Sequence, residues 1–507
     1  MRPIVVIISF VFWFAVSGNP LYGDSFSPGK IEQQLQSISE KCIEATVTLD
    51  SKKMSGTAVV ISGDGFLLTT GHLWRSHKKE TPLTIIFNNG KKVKAKCLGF
   101  NREEDIALAK ITTFSNEPWP HVELAVKAPP VKTLCFLLGH PQKSGKTRRP
   151  PIRIGCVKSH HLQKGIVEII VTDSTIQPGD SGGPLFDLSG KLIGLNAVNS
   201  TRLKYNCFVA IDVYYRDRVR LEKGETWENQ ENGVGDMKSL LKIDSSAKGV
   251  KLMEKEYKRR IKVGHPPTLA FSKNNPKVTV KDYVDIFNID TVAISQGSPY
   301  YLGKDEPELT SHFTRIKEYK SFLPIPILEN KTLVALSCPV SKRHVITKLS
   351  LVTKSKGIKG VSRGVGYPVT LVASDETWDL ALLDLGKKAK LTPFKWSNEG
   401  NNKPGTMIFC PLADLNDIAW GVVSGAAMQI TKNRSKNQIS IKLSDHRGPY
   451  PKVIPCDAAV FPHLCGGPVL NIKGEAIGMT LARKDHATCV MIAAKELKEV
   501  ITKLLPE

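Results

Sequence analysis

The chain has 507 residues, which is too long for one ordinary hydrophobic core and predicts two or three domains. Its composition, 41% hydrophobic, 23% charged and 7% aromatic, is typical of a soluble globular protein, without a low-complexity tract of glycine or proline. The formal net charge of +23 is compatible with an anionic partner. Because zinc-finger spacing, an RNA-binding aromatic signature and a basic heptad helix are all missing, we do not expect nucleic acid to be that partner. An anionic envelope surface is one candidate partner. The alternative is that the basic surface of the protein is simply solvated and has no such partner.

The N-terminus has the layout of a secretory signal peptide. Arg2 precedes an apolar run from Ile4 to Val16, which is shorter than the ~20 residues that a membrane-spanning helix needs. Small and turn-forming residues follow, so we assign residues 1–23 to a signal peptide. An uncleaved N-terminal anchor is the alternative. Both interpretations predict an exported chain, periplasmic or secreted, and the second makes it membrane-associated.

Cysteines are the next feature that bears on an exported chain, because such proteins often form disulfides. Ten cysteines are scattered singly, with no CxxC pair, so their spacing indicates neither a zinc site nor a redox motif. Several lie inside apolar runs such as "TLCFLLG" and "NCFVAID", where a buried free thiol is the usual state. We therefore predict no metal and no cofactor, and leave any disulfide pairing open.

Short strand-like runs fill two parts of the chain. Residues 24–220 contain many brief alternating or apolar runs broken by glycine and proline turns, which predict an antiparallel barrel or sandwich. Residues 324–507 repeat this pattern. Residues 221–323 between them are charged and partly helical in propensity, so we assign them to a linker whose last part is compatible with the next domain. The predicted fold class is mainly β.

The two strand-rich parts align with each other in register. The segment "GCVKS" at Gly155 corresponds to "GVVSG" at Gly421, and "DSTIQPGDSGGP" from Asp173 corresponds to "DAAVFPHLCGGP" from Asp457. Chance similarity between two β-rich segments would not preserve this order. The sequence therefore indicates an internal duplication.

The first copy carries three residues suited to nucleophilic hydrolysis of an amide. A serine hydroxyl needs a base to take its proton, and a carboxylate that orients the base. His72 in "LLTTGHLW", Asp105 in "EEDIALAKI" and Ser181 in "QPGDSGGPL" supply these groups. The glycine before the serine has its own reason. Backbone N–H groups of Gly179 and Ser181 can face a developing oxyanion only if no side chain at residue 179 hinders the turn.

These motifs resemble the trypsin-like serine peptidases, and within them the Deg/HtrA branch. The segments on which the resemblance rests are "GTAVVISGDGFLLTTGHLW", "EDIALAKI" and "DSTIQPGDSGGPL". Digestive trypsins differ, because they have a cysteine at the position of Leu73. The resemblance implies two six-stranded barrels with the triad in the cleft between them. It also implies an exported, often oligomeric enzyme that acts on unfolded or exposed polypeptide. His72 is then the general base, Asp105 its orienting carboxylate, Ser181 the nucleophile, and Gly179 with Ser181 the oxyanion donors.

Substrate specificity follows from the same resemblance. The position six before the nucleophile lies at the base of the primary pocket in trypsins, and here it is Thr175. Thr175 offers no carboxylate, so we do not expect a preference for Lys or Arg. Asp173 lies nearby, but the Deg pattern also has an Asp there. The resemblance implies small aliphatic residues before the cleaved bond.

The second copy has exchanged most of these residues. Ser350 occupies the histidine position in "VITKLSLV", Asp379 keeps the aspartate in "WDLALLDL", and Cys465 replaces the serine. His463 replaces the glycine of the oxyanion turn. We therefore interpret residues 324–507 as a degenerate trypsin-like domain that has kept its fold and lost its chemistry.

A cysteine peptidase in the second copy is the alternative that must be weighed, because a thiol can attack a carbonyl. His344, the nearest histidine, lies six residues before Ser350 on the far side of a strand. Asp379 consequently has no imidazole to orient in this alignment. His463 is expected to malform the oxyanion hole.

The function that follows is an exported serine endopeptidase, of the kind that serves protein quality control, with an inactive second domain in a binding or regulatory role. The alternative is a non-proteolytic, peptide-binding or chaperone-like envelope protein in which the triad residues are present but held in a disordered state. Polypeptide substrates and assembly into a homo-oligomer are the partner predictions.

Overall fold

The computed structural model describes residues 27–506 with several gaps. Positions outside the description within that span are 52–53, 75–81, 103, 141–148, 164, 178, 199–205, 228–322, 331, 399–401, 413–417, 432–443, 459 and 486. The predicted signal peptide, and all of the predicted linker except its two ends, lie outside the described residues.

Six antiparallel strands close into the first barrel. They pair in the order β5-β4-β1-β2-β3-β6, with β5 also paired to β6. The chain forms strands here because apolar and polar residues alternate: Val93 and Ala95 are buried, whereas Lys94 is exposed. The strands are β1 (Thr46–Ser51), β2 (Met54–Val60), β3 (Phe66–Thr69), β4 (Leu83–Ile86), β5 (Lys92–Asn101) and β6 (Ile106–Ile111).

A second six-stranded barrel follows, closed in the order β10-β11-β12-β9-β8-β7. Its strand β7 reads "LCFLL". All five of its residues are buried, because side chains pack against both faces of the strand. The strands are β7 (Leu134–Leu138), β8 (Ile152–Gln163), β9 (Ile166–Thr172), β10 (Pro184–Asp187), β11 (Leu192–Val198) and β12 (Asn206–Ala210).

Two helices and a short strand flank these barrels. Helix α1 (Pro28–Ala45) precedes β1, and α2 (Ile211–Glu222) follows β12. Strand β13 (Thr226–Trp227) then pairs in parallel with β5. The packed elements of the first domain therefore continue past the predicted boundary at residue 220, because the chain returns to add this strand to the first barrel.

The second half repeats the same plan as two seven-stranded sheets, in the orders β18-β17-β14-β15-β16-β20-β19 and β22-β21-β25-β26-β27-β24-β23. It also contains a short helix α3 (Leu349–Val352) and a terminal helix α4 (Ala494–Leu504). The predicted mainly β fold with tandem two-barrel domains is thus confirmed. The strands are β14 (Ile325–Glu329), β15 (Thr332–Pro339), β16 (His344–Lys348), β17 (Lys359–Ser362), β18 (Val365–Pro368), β19 (Thr370–Asp375), β20 (Leu380–Asp384), β21 (Met407–Pro411), β22 (Ile418–Val422), β23 (Met428–Ile430), β24 (Tyr450–Cys456), β25 (Pro468–Asn471), β26 (Ala476–Arg483) and β27 (Cys489–Ala493).

Equivalent backbone contacts show the register of the two halves. Asp173 Oδ1 accepts the N–H of Cys156 at 2.7 Å, and Asp457 Oδ1 accepts the N–H of Val422 at 2.6 Å. These are the positions that the aligned motifs bring into correspondence. The predicted internal duplication therefore extends to individual hydrogen bonds.

The two halves share one hydrophobic core. Phe136 of β7 and Phe409 of β21 belong to the same buried cluster, together with Leu35 of α1. Helix α1 also bonds directly to the second half, where Glu32 Oε2 accepts the N–H of Met407 at 2.7 Å. Helix α1 thus packs against both domains.

All ten cysteines are buried thiols that form no disulfide, as expected for those in apolar strands. Within the described part of the chain, none of the helices has the length and hydrophobicity that a membrane span requires.

Candidate active site

His72 and Asp105 form the centre of the first site. His72 lies in a 3₁₀ helix, Gly71–Trp74, directly after β3. Its Nδ1 is 2.8 Å from Asp105 Oδ2 and 3.1 Å from Oδ1, and its backbone N–H donates to Oδ1 at 2.6 Å. Since Nδ1–H donates to the carboxylate, Nε2 is the nitrogen left to accept a proton. The ring keeps 27% of its side-chain surface exposed, which allows a ligand to reach it.

An unusual backbone conformation presents the Asp105 carboxylate. Asp105 has φ of 58°, in the left-handed region, just before β6. Asp is one of the few residue types that enter this region with moderate strain, of the order of 1–3 kcal/mol. Asp379 in the second half has nearly the same φ, 56°. In both copies, therefore, the aspartate has the same left-handed backbone conformation.

The turn that carries Ser181 packs against the strands that lead to His72. The carbonyl of Ser181 accepts the N–H of Thr57 on β2 at 2.9 Å. Gly182 has φ of 78°, and a Cβ there would come within 2.1 Å of Thr69 Oγ1 and 2.2 Å of the Thr57 carbonyl. Only glycine fits this position. Thr69 ends β3, three residues before His72, so the turn and the histidine are held on neighbouring backbone.

Gly179 has a left-handed backbone conformation, in the region that favours glycine. Its φ is 102°, and its carbonyl accepts the Thr57 hydroxyl at 2.9 Å. That hydroxyl in turn accepts the N–H of His140, also at 2.9 Å. The carbonyl is therefore tied to the barrel interior. Between the described side chains of Ser181 and His72 the structure has no hydrogen bond, a common condition in unliganded hydrolases.

Thr175, the residue predicted for the substrate pocket, is buried between β9 and the Ser181 turn. Its carbonyl accepts Nη1 of Arg153 at 3.0 Å. Asp173, two residues earlier, bonds the Cys156 N–H and lies 3.2 Å from Lys158 Nζ. Asp173 is thus engaged with β8, and the pocket role of Thr175 stays a prediction.

In the second half, Ser350 occupies the place of the histidine. Its backbone N–H donates to Asp379 Oδ1 at 2.7 Å, as the N–H of His72 does to Asp105. Its hydroxyl donates to Asp379 Oδ2 at 2.8 Å. The two positions thus make the same backbone hydrogen bond to an aspartate, and the second copy has a hydroxyl in place of the imidazole.

The expectation that Asp379 has no imidazole partner is wrong. His446 Nδ1 lies 3.0 Å from Asp379 Oδ2. The ring comes from the segment before β24, for which the first half has no counterpart, because β8 and β9 are joined there by a short turn. No alignment of the two copies could have indicated it. His344, by contrast, bonds the Ser341 hydroxyl and lies 3.8 Å from Asp384, away from Asp379.

A buried lysine completes this cluster. Lys348 is fully buried and donates through Nζ to Asp379 Oδ2, to the Tyr450 hydroxyl at 3.0 Å and to the His446 carbonyl at 3.1 Å. Burial alone would raise the pKa of Asp379, but the hydrogen bond from His446, the charge of Lys348 and the hydrogen bond from Ser350 together lower it. The Asp379 carboxylate is thus saturated by protein donors.

Cys465 is not exposed to a ligand. It is fully buried, and its Sγ lies 3.6 Å from the carbonyl of Phe461. Contact with Cys489, together with burial, raises the pKa of Cys465 well above its usual value, so the thiol stays protonated at neutral pH. Its backbone N–H donates to the Pro462 carbonyl at 3.2 Å, inside a 3₁₀ turn that contains His463.

Two regions of the chain match the family described as "Trypsin-like peptidase domain", at residues 56–195 and 335–479, together more than half of its length. The chain belongs to the trypsin-like peptidase family. The first region contains His72, Asp105 and Ser181, and the second contains Asp379 and Cys465.

Curated relatives place the resemblance in the Deg/HtrA branch, as predicted. A probable periplasmic serine endoprotease DegP-like of Ectopseudomonas mendocina (strain ymp) is 30% identical over 148 residues, covering 29% of this chain and 30% of the relative. The periplasmic pH-dependent serine endoprotease DegQ of Escherichia coli (strain K12) is 30% identical over 145 residues, 28% of this chain and 30% of the relative. Each match thus spans about a third of the relative's length.

Solved structures of this kind are also similar to the chain. Deg5 is 22% identical with a TM-score of 0.33, covering 38% of this chain and 97% of Deg5. The HtrA-type protease AlgW, solved with a tripeptide, is 22% identical with a TM-score of 0.32, covering 37% of this chain and 63% of AlgW.

Proposed function

We propose that the first domain, residues 24–220 with the packed strand that follows, is a serine endopeptidase. The observation that carries the proposal is the contact of His72 Nδ1 with Asp105 at 2.8 Å, on backbone that also packs against the Ser181 turn. His72 is the general base, Asp105 orients it, and Ser181 is the nucleophile. The relatives named as periplasmic serine endoproteases support the same activity.

The reaction uses these groups in turn. Nε2 of His72 takes the proton of Ser181 Oγ as the oxygen attacks the scissile carbonyl carbon. The N–H groups of Gly179 and Ser181 receive the oxyanion that forms. The imidazolium, stabilised by Asp105, then gives its proton to the leaving amine. A water molecule, deprotonated by the same nitrogen, hydrolyses the acyl-enzyme and restores the hydroxyl.

The substrates in this proposal are unfolded or exposed polypeptides outside the cytoplasm. Thr175 near the primary pocket brings no carboxylate to it, so we do not expect a preference for Lys or Arg. The resemblance to the Deg/HtrA peptidases implies small aliphatic residues before the cleaved bond. Export, association of the +23 chain with an anionic envelope surface and assembly into a homo-oligomer belong to the same proposal.

We propose that the second domain, residues 324–507, does not catalyse hydrolysis. Asp379 contacts the His446 imidazole, yet its carboxylate also accepts hydrogen bonds from Lys348 and Ser350. Cys465 is buried with a raised pKa, and the amide that would serve an oxyanion is bonded to Pro462. The residues of a cysteine peptidase are thus partly present but held in other contacts.

Labelling with a fluorophosphonate serine probe tests the proposal, with casein cleavage measured in parallel. The purified protein is compared with Ser181→Ala and with Cys465→Ala as the matched control. We expect labelling and cleavage to be lost only in Ser181→Ala. Loss in Cys465→Ala would contradict the inactive second domain. If the unmodified protein neither labels nor cleaves, the peptide-binding or chaperone-like alternative replaces the proposal.

A further inference from the structure

A buried ion pair lies directly behind the Ser181 turn. Arg153 of β8 is only 1% exposed, and its Nη1 donates to Asp180 Oδ2 at 2.5 Å and to the Thr175 carbonyl at 3.0 Å. Asp180 Oδ2 also accepts the N–H of Gln177 at 2.8 Å. One guanidinium therefore links the start of the turn to the residue immediately before Ser181. It touches no substrate, since it has almost no exposed surface.

The two neighbours of Arg153 both bond to the second domain. The N–H of Ile152 donates to the Ser424 carbonyl at 2.9 Å, and the N–H of Ile154 donates to Asp457 Oδ2 at 2.8 Å. Asp457 uses its other oxygen for Val422 within its own domain. The backbone on each side of Arg153 is consequently fixed by the degenerate copy.

Carboxylates of the second domain also affect the pKa of Arg153 across the domain boundary. Burial alone would lower the pKa of Arg153, whereas Asp180 raises it and two carboxylates of the second domain, Asp485 and Asp457, raise it further. The positive charge that holds Asp180 is thus favoured partly by the second domain.

The internal duplication offers a comparison within one chain. In the register set by Gly155 and Gly421, the counterpart of Arg153 is Ala419. In the register set by Asp173 and Asp457, the counterpart of Asp180 is Leu464. Ala419 belongs to a buried apolar cluster of the second domain, and the half-buried Leu464 packs against that cluster. The ion pair accordingly occurs in the copy that has Ser181 and is replaced by apolar residues in the copy that has Cys465.

We propose that Arg153 is a positioning residue for the Ser181 turn, and that the degenerate domain serves the active one by fixing the strand from which Arg153 extends. The proposal rests on the proposed peptidase function. In this proposal, the second domain fixes the strand through the hydrogen bond from the Ile154 N–H to Asp457. A turn without this support would sample conformations in which the amides of Gly179 and Ser181 no longer converge on one oxyanion.

The rate of fluorophosphonate labelling measures this convergence. When the probe reacts, Ser181 Oγ forms a bond to phosphorus, fluoride leaves, His72 takes the hydroxyl proton, and the phosphoryl oxygen occupies the oxyanion position. In Asp457→Asn the side chain keeps one carbonyl oxygen for two N–H donors and loses its charge. We expect the labelling rate to fall about tenfold or more, toward the range found when one oxyanion donor is removed.

Glu32→Gln is the matched control, because it alters a carboxylate that bonds across the same domain boundary without touching β8. We expect its labelling rate to stay within about twofold of the unmodified protein. Casein-derived peptide kinetics should show a lower kcat with little change in KM for Asp457→Asn, since the turn acts in the transition state rather than in binding.

A second pair of variants keeps the test decisive if Asp457→Asn does not fold. Arg153→Lys retains a charge near Asp180 and should lose less activity than Arg153→Ala combined with Asp180→Leu, which copies the apolar pair of the second domain. The double variant should fold but label slowly.

Labelling of the folded Asp457→Asn or double variant at the unmodified rate would overturn the proposal, as would an equal loss in Glu32→Gln. Failure of the unmodified protein to label at all is a different result, because it removes the peptidase function itself.

Discussion

Replacing Lys348 by methionine is expected to destabilise the second domain strongly. The lysine is fully buried and donates to Asp379, Tyr450 and the His446 carbonyl. Removing one partner of a buried ion pair typically costs about 3–5 kcal/mol, because the remaining charge loses its compensation. Asp379 would still accept from Ser350 and lie near His446, so we expect a loss near the lower end, roughly 3 kcal/mol.

Chemical denaturation of the complete chain, followed by hydrogen exchange in the segments around β16 and β20, measures this loss where it arises. The matched control is Lys354→Met, whose partner is Asp445 at 3.2 Å on the surface. Exposed pairs contribute about 0–1 kcal/mol, so this variant should be nearly neutral. A Lys348→Met protein within about 1 kcal/mol of the unmodified one would refute the reasoning, because it would mean that the carboxylate needs no buried cation.

The pH dependence of this loss has a definite sign. The pKa of Asp379 is lowered in the fold, in part by Lys348. A carboxylate with a lowered folded pKa contributes stability above its unfolded pKa, about 3.9, and loses that contribution as the pH falls through the folded value. The difference between the unmodified protein and Lys348→Met should therefore be largest at neutral pH and narrow below about pH 4. A difference that grows on acidification would contradict this assignment.

Three further outcomes are expected. Asp105→Asn should lower kcat by about 10⁴-fold with KM little changed, because the amide favours the wrong tautomer of His72; steady-state kinetics check this. Gly182→Ala should abolish probe labelling, since its Cβ would lie 2.1 Å from Thr69 Oγ1 in a backbone with φ of 78°; labelling and thermal denaturation together check this. Iodoacetamide at neutral pH should modify almost none of the ten cysteines in the native protein and all of them after denaturation, because all are buried. Burial also raises the pKa of Cys42 and of Cys207 to about 12. Intact mass measurement checks this, and rapid modification of Cys465 in the native protein would contradict the buried thiol.

Much of the fold and of the first site could be predicted because the relevant signals are local. Short alternating runs specify strands, and the duplicated "GGP" turns fix the register of the two halves. His72, Asp105 and Ser181 each stand in a motif whose neighbours determine the backbone around them. Gly182, for example, is required by contacts with the strand end that leads to His72.

The contacts that could not be predicted join residues far apart in sequence. His446 reaches Asp379 from a segment that exists in one copy only, so comparison of the copies gives no signal for it. Arg153 meets Asp180 because β8 closes the barrel behind the turn, and an Arg next to isoleucines in a strand has no motif of its own. The bond between Ile154 and Asp457 spans 303 residues and depends on how two complete domains pack.

These long-range contacts also bear on what the second domain contributes to the first. A buried ion pair such as Arg153–Asp180 is weak support for stability, because apolar residues of similar volume are often as good or better. Ala419 and Leu464 represent that apolar solution within the same chain. The first domain nevertheless has the charged pair, next to the turn that carries Ser181. Asp457 of the second domain accepts a hydrogen bond from its own strand β22 with one oxygen and from β8 with the other. A second domain that fixes the strand behind Ser181, as proposed above, would explain both facts at once.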